Sequence, residues 1–178
     1  MPATLFNELL ECNVPIRIQP VGLSMHPFIR RGDSITITPL SPANPDKSGD
    51  VIVPGDCVIF QNSPERWLIH RVIKNNHNNK EIIAKGDALL FLDQPVTLGT
   101  IRGKVTIIHR ANSGKEHLLD RPLSRQINRL IALLSRGEAV ISSTLRIRRR
   151  EVEYSPGFEF ITRVIKFPKW ILTRMFFS

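Results

Sequence analysis

Ser24 stands in the run Gly22-Leu23-Ser24-Met25-His26-Pro27-Phe28-Ile29-Arg30-Arg31-Gly32-Asp33, whose residue types read as a nucleophile presented on a constrained turn. Gly22 lets the chain bend or approach another backbone closely, and Pro27 limits what can follow. A serine hydroxyl is a poor nucleophile at neutral pH and needs a positioned base. Histidine titrates near neutrality, at about 6.5, and His70 is the candidate base. A histidine base works better when a carboxylate holds its tautomer and stabilises the imidazolium; Asp87 and Asp93 are the candidates. The developing oxyanion needs donors, and the Ser24 backbone N–H is one. Together these groups would attack a carbonyl and pass through an acyl-enzyme on Ser24.

Three further segments follow the serine run in order: Gly55-Asp56-Cys57-Val58-Ile59-Phe60, Ile69-His70-Arg71-Val72, and Lys85-Gly86-Asp87 with Asp93 beyond. These four boxes, over roughly residues 16–108, resemble those of the signal peptidase I family and its relatives, the self-cleaving repressor peptidases. Members of that superfamily carry either lysine or histidine at the third box. With His70 before Arg71-Val72, the chain looks like the histidine type of archaea and the endoplasmic reticulum. The resemblance implies Ser24 as nucleophile, His70 as base and Asp93, six residues after Asp87, as the orienting acid. Asp87 would support the strand turn or the network. Ala88-Leu89 replaces the Asn-Asn of the family pattern, so the two acids could exchange roles. Gly22 stands where some relatives carry a serine that donates to the oxyanion, and Met25 would flank the substrate cleft. The implied substrate is a leader or signal segment with small residues before the cut, handled without metal or organic cofactor.

Composition bounds the rest. The apolar and charged fractions, 42% and 23%, are those of a folded protein and exclude a disordered one. Cys12 and Cys57 form neither a disulfide framework nor a metal-ligand spacing, which suggests a reducing compartment; Cys57 reads as a buried thiol in a strand. No run of 18 apolar residues is present, so no spanning helix is expected, and the N-terminus lacks the pattern of a secretory signal. The expected location is cytoplasmic or peripheral to a membrane. Charge is uneven: residues 1–120 hold 13 Lys/Arg against 12 Asp/Glu, whereas 121–178 hold 12 against 4. A near-neutral peptidase domain (1–120) joined to a basic helical segment (121–178) is the expected organisation, the latter suited to an anionic membrane surface.

The elements that must position the candidates are short strands. Val14–Val21 would deliver the chain to Ser24. Ser34–Thr38 alternates as a half-buried strand. Val51–Val53, Cys57–Gln61, Trp67–Lys74, Glu81–Lys85, Val96–Leu98 and Ile101–His109 continue the cadence, with turns at Pro54-Gly55-Asp56 and Asn75–Asn79 and a Pro/Ser/Asn-rich loop over 39–50. Such spacing predicts a mainly β fold, a sandwich or partly open barrel. Residues 3–12 suit a short helix. A second helix should run from Pro122 to Gly137, with Leu123, Ile127, Leu130, Ile131 and Leu134 on its apolar face and Arg121, Arg125, Arg129 and Arg136 opposite. Residues 157–178 interleave aromatics with basic residues, a pattern suited to a membrane interface. Asp33 and Asp56 read as turn residues, and His26, His77, His109 and His117 as surface groups.

The function expected is a serine endopeptidase acting on a polypeptide. The alternatives are a self-cleaving regulatory protein, disfavoured by the absence of a helix-turn-helix before Ser24, and a catalytically inactive adaptor. Nucleic acid is disfavoured as a partner because no recognised binding motif accompanies the charge.

Overall fold

A computed structural model describes residues 8–10, 12–40, 51–63, 66–144 and 156–177. The strands are β1 (Ile16–Ile18), β2 (Ser34–Pro39), β3 (Cys57–Ser63), β4 (Arg66–Asn76), β5 (Glu81–Lys85), β6 (Val96–Thr97), β7 (Ile101–His109) and β8 (Glu116–Leu118); the helices are α1 (Pro122–Thr144) and α2 (Pro156–Phe177). The fold is mainly β with a helical C-terminal part. Eight antiparallel strands form one open sheet in the order β1-β2-β7-β3-β4-β5-β6, not closed into a barrel. One side of β7 pairs with β2 along its length; the other is shared by β3 at residues 101–104 and β8 at 107–109.

Strand alternation sends successive side chains to opposite faces, and here both faces are covered. Cys57 and Ile59 join a core containing Phe28, Ile35, Ile37, Val105 and Ile108. Their neighbours Val58 and Phe60 join a second core with Val72, Ile82, Ala84 and Ile101. The helices lie over the first face and add Ile127, Ile131 and Phe177 to it. Gly55 lets the turn before β3 close on α1: a Cβ there would come within 2.8 Å of the α1 backbone at Asn128, and φ is +105°.

Several expected bounds move. β5 and β7 run as expected, but β1 covers only Ile16–Ile18, and Val51–Val53 is irregular. Asn75 and Asn76 extend β4 and His77–Asn79 form a 3-10 turn, because both asparagines pair with β5. β8 is an addition: its three residues show no alternation long enough to read, and pairing with β7 makes them a strand. Of the N-terminal helix, residues 8–10 are helical, whereas 1–7 and 11 lie outside the described residues, as does 41–50 of the expected loop.

α1 does not stop at Gly137. Nothing lies within 4 Å of a Cβ built there, and the buried stripe continues through Glu138, Ala139 and Ser142. That stripe is also rotated from the expected one. Ile127 and Ile131 are inside, Leu123 and Leu130 are exposed, and Asn128, Ser135 and Glu138 are buried instead. The polar residues turn inward because the sheet offers buried charges to meet them.

The end of α2 belongs to the core. The Phe177 ring stands edge-on to Phe28 with centroids 4.9 Å apart, and its carbonyl accepts from Arg110. Arg110 also reaches Asp33 Oδ2 at 2.5 Å, so Asp33 is a buried ion-pair partner besides accepting from the Arg30 N–H in its turn. Asp56 likewise caps its own turn at Val53 N–H and meets Lys104 at 3.1 Å.

Candidate active site

Consecutive residues of β4 supply two separate constellations. His70 sits opposite Val58 on β3, on the face of the second core, and its ring meets Phe60 edge-on at 6.2 Å. Arg71 sits opposite Cys57 and faces the helices, its guanidinium 4.2 Å from the centre of the Phe28 ring.

On the first side, His70 Nδ1 is 2.5 Å from Asp93 Oδ2. A carboxylate only accepts, so Nδ1 carries the hydrogen of this bond, and Nε2 is the ring nitrogen left to act as an acceptor in the neutral tautomer. His70 is 2% exposed, and Nε2 is buried without a hydrogen-bond partner among the described residues. Asp93 is fixed by its own N–H donating to Ala84 O on β5 at 2.9 Å.

Ser24 approaches from the turn after Gly22, whose φ is +136°. Below it, Met25 and Phe28 are buried and anchor the turn in the first core. The Ser24 carbonyl accepts from Ala88 N–H at 2.7 Å. A Cβ on Gly86 would fall 2.7 Å from that carbonyl oxygen and 3.0 Å from His70 Nε2. The Ser24 carbonyl and the free edge of the imidazole thus border the same space at Gly86, which a side chain would fill. Ser24 Oγ makes no hydrogen bond to His70 Nε2, and apo geometry of this kind commonly tightens only with substrate.

Asp87 is not part of this group. Its carboxylate accepts from Arg71 Nε at 3.0 Å and Nη2 at 2.8 Å, while Arg71 Nη1 donates to Gly55 O and Asn128 Oδ1, both at 2.9 Å. Burial pushes the Asp87 carboxyl up, but the Arg71 charge and hydrogen bonds outweigh it and hold the group below its ordinary range. Strand alternation decides between the two acids: Asp93 meets the His70 side, Asp87 the Arg71 side.

Lys85 opens the Gly-Asp box and lies on the helix side too, opposite Arg71. Its Nζ and that of Lys169 on α2 both donate to Glu138 Oε2 at 2.6 Å. Burial first, and then the neighbouring Lys169 charge, lower the Lys85 ammonium to about 8 against the pull of Glu138. Lys169 also donates to Asp87 O at 2.8 Å, and Lys166 to Ala88 O. The turn that carries Gly86 and holds Ser24 is thus clamped from behind by α2. Arg71 was read only as part of its box and Lys166 and Lys169 only as part of the basic terminus, while Asn128 and Glu138 were given no role; the one available signal was the helical spacing of Asn128, Ser135 and Glu138 on α1.

Among the described residues no three His, Cys, Asp or Glu side chains gather as a metal-binding group. Cys57 is buried, its thiol pushed up to about 12 by burial despite the opposing Arg71 charge. Of the remaining histidines, His26 is exposed. His109 and His117 are half-buried: His109 sits between Thr36 and Glu116, and His117 packs on Phe177 with Nε2 buried. The His77 side chain is outside the described residues. No protein-family model matches the chain, and neither a curated protein nor a solved structure does.

Proposed function

We propose that the protein is a serine endopeptidase that works through Ser24, His70 and Asp93. The observation that carries this reading is His70 itself: one ring nitrogen is held by Asp93 and the other is buried, unpartnered and beside the serine turn. A buried polar atom without a partner costs free energy, and a base awaiting a proton accounts for it.

The Ser24 hydroxyl attacks the scissile carbonyl while its proton passes to His70 Nε2. The tetrahedral oxyanion is stabilised by the Ser24 N–H, which donates to nothing among the described residues. Collapse of the intermediate breaks the C–N bond, the leaving amine takes the proton from Nε2, and an ester remains on Ser24. Water, deprotonated by the same nitrogen, then releases the acid. Asp93 keeps the tautomer and stabilises the transient imidazolium. The polypeptide suggested by the family resemblance is a leader or signal segment with small residues before the cut.

Incubation with a library of short peptides, followed by mass spectrometry, tests the reading. Cleavage that disappears in Ser24→Ala and in His70→Ala, with thermal transitions near that of the parent protein, supports it. Cleavage undiminished in Ser24→Ala refutes it.

A further inference from the structure

The two helices turn their polar stripe toward the sheet, which leaves an unusual outer surface. On α1, Leu130, Leu133 and Val140 are 43%, 63% and 57% exposed, and on α2 Val164, Phe167 and Met175 are 57%, 56% and 71% exposed. At 3.6 residues per turn, Leu130, Leu133, Val140 and Ile141 form one stripe and Arg125, Arg129 and Arg136 the stripe beside it. Phe167 stacks on Trp170 at 6.3 Å, and Arg174 covers the other part of that indole at 5.1 Å. The only carboxylate in α1 is Glu138, buried against two lysines, and residues 164–177 contain none. The outward face is therefore apolar and mainly cationic, with Asp120 meeting Arg125 at 3.7 Å beside the start of α1.

We propose that this face docks on an anionic lipid bilayer. An interfacial helix needs an apolar stripe to enter the acyl boundary, with arginines beside it at headgroup level. A second copy of the chain would oppose arginine stripe to arginine stripe. Nucleic acid would satisfy the arginines but leave Leu133 and Phe167 in water. No helix is long and apolar enough to cross the membrane among the described residues, so the contact is peripheral. It is independent of Ser24.

Phe177 and Lys169 are core residues, so truncation would unfold the protein, and substitutions confined to exposed positions are the right test. Full-length protein is sedimented with phosphatidylcholine vesicles and with equimolar phosphatidylcholine–phosphatidylglycerol vesicles, at low and at molar salt. Binding to the anionic vesicles alone, weakened by salt and accompanied by a blue shift of Trp170 emission, is expected. The triple variant Arg125→Gln, Arg129→Gln, Arg136→Gln should lose on the order of 100-fold in affinity at low salt, since each basic residue near the surface contributes about fivefold. Leu133→Ser with Phe167→Ser should also weaken binding, and Ser24→Ala should bind like the parent. Circular dichroism verifies that each variant is folded. Absence of anionic-vesicle binding at low salt overturns the proposal, as does binding unchanged in folded variants of both sets. Salt-sensitive binding to an oligonucleotide without binding to vesicles would also overturn it and assign the arginines to nucleic acid.

Discussion

Asparagine at position 93 removes one negative charge 2.5 Å from His70 Nδ1 and keeps the side-chain shape. In the proposed reaction His70 takes the serine proton and becomes an imidazolium whose charge centre lies about 4 Å from that of the carboxylate. At an effective dielectric of about 20 the attraction is about 4 kcal/mol. The Asp93 side chain is 19% exposed, so water screens part of it, and about 2–4 kcal/mol should be lost. That corresponds to a fall of about 30-fold to 10³-fold in kcat/KM. An amide NH₂ turned toward Nδ1 would also favour the wrong tautomer, which extends the loss to about 10⁴. The assay is kcat/KM on a peptide cleaved by the parent protein, beside a urea unfolding curve. Asp93→Asn should be slow yet stable. Asp87→Asn should behave the other way: it strips the counter-charge from Arg71, buried at 0% exposure, and should cost about 3–5 kcal/mol of stability. An Asp93→Asn enzyme within threefold of the parent, or an Asp87→Asn protein of normal stability and lost activity, would refute the assignment of the two acids.

Gly86→Ala should reduce kcat by about 100-fold or more, since its methyl would displace either the Ser24 carbonyl or His70 Nε2 and misplacements near 1 Å have that cost; a normal kcat in a folded variant would contradict the proposed contact. Glu138→Gln leaves the Lys85 and Lys169 ammonium groups without their shared carboxylate and should destabilise by about 3–5 kcal/mol in chemical denaturation. The lowered Lys85 pKa gives stability a sign with pH: between about 8 and 10.5 the unfolded chain holds a proton that the folded chain has released, so stability should rise with pH across that window. Urea midpoints across that window measure the rise, and Lys85→Met should flatten it.

The sheet was readable because its pattern is written locally, and Ser24 and His70 could be singled out for the same reason. β5 and β7 carry an apolar pattern over five and nine residues, and the nucleophile and base sit in short boxes. The choice between Asp87 and Asp93 was not readable, because it depends on which face of β4 each acid meets and not on its distance from His70 along the chain. The polar stripe of α1 was missed for a related reason. Hydrophobicity predicts what water rejects, whereas Asn128, Ser135 and Glu138 are buried by charges supplied from Arg71, Lys85 and Lys169, up to 57 residues away. The same limit applied to the helical end at Gly137, where the continuing buried contacts override a weak helix former.

The clamp on the Gly86 turn has a consequence for timing. Lys169 lies 82 residues after Asp87, whose carbonyl it holds. Chains emerge from the ribosome at about 5–20 residues per second, so the serine and histidine segments wait on the order of 5–15 s for the lysines that fix them. Long-range closure of this kind also folds slowly. A nascent chain therefore carries Ser24 and His70 in an unassembled form while it is being made, and the proposed activity would be latent until the C-terminal helix arrives.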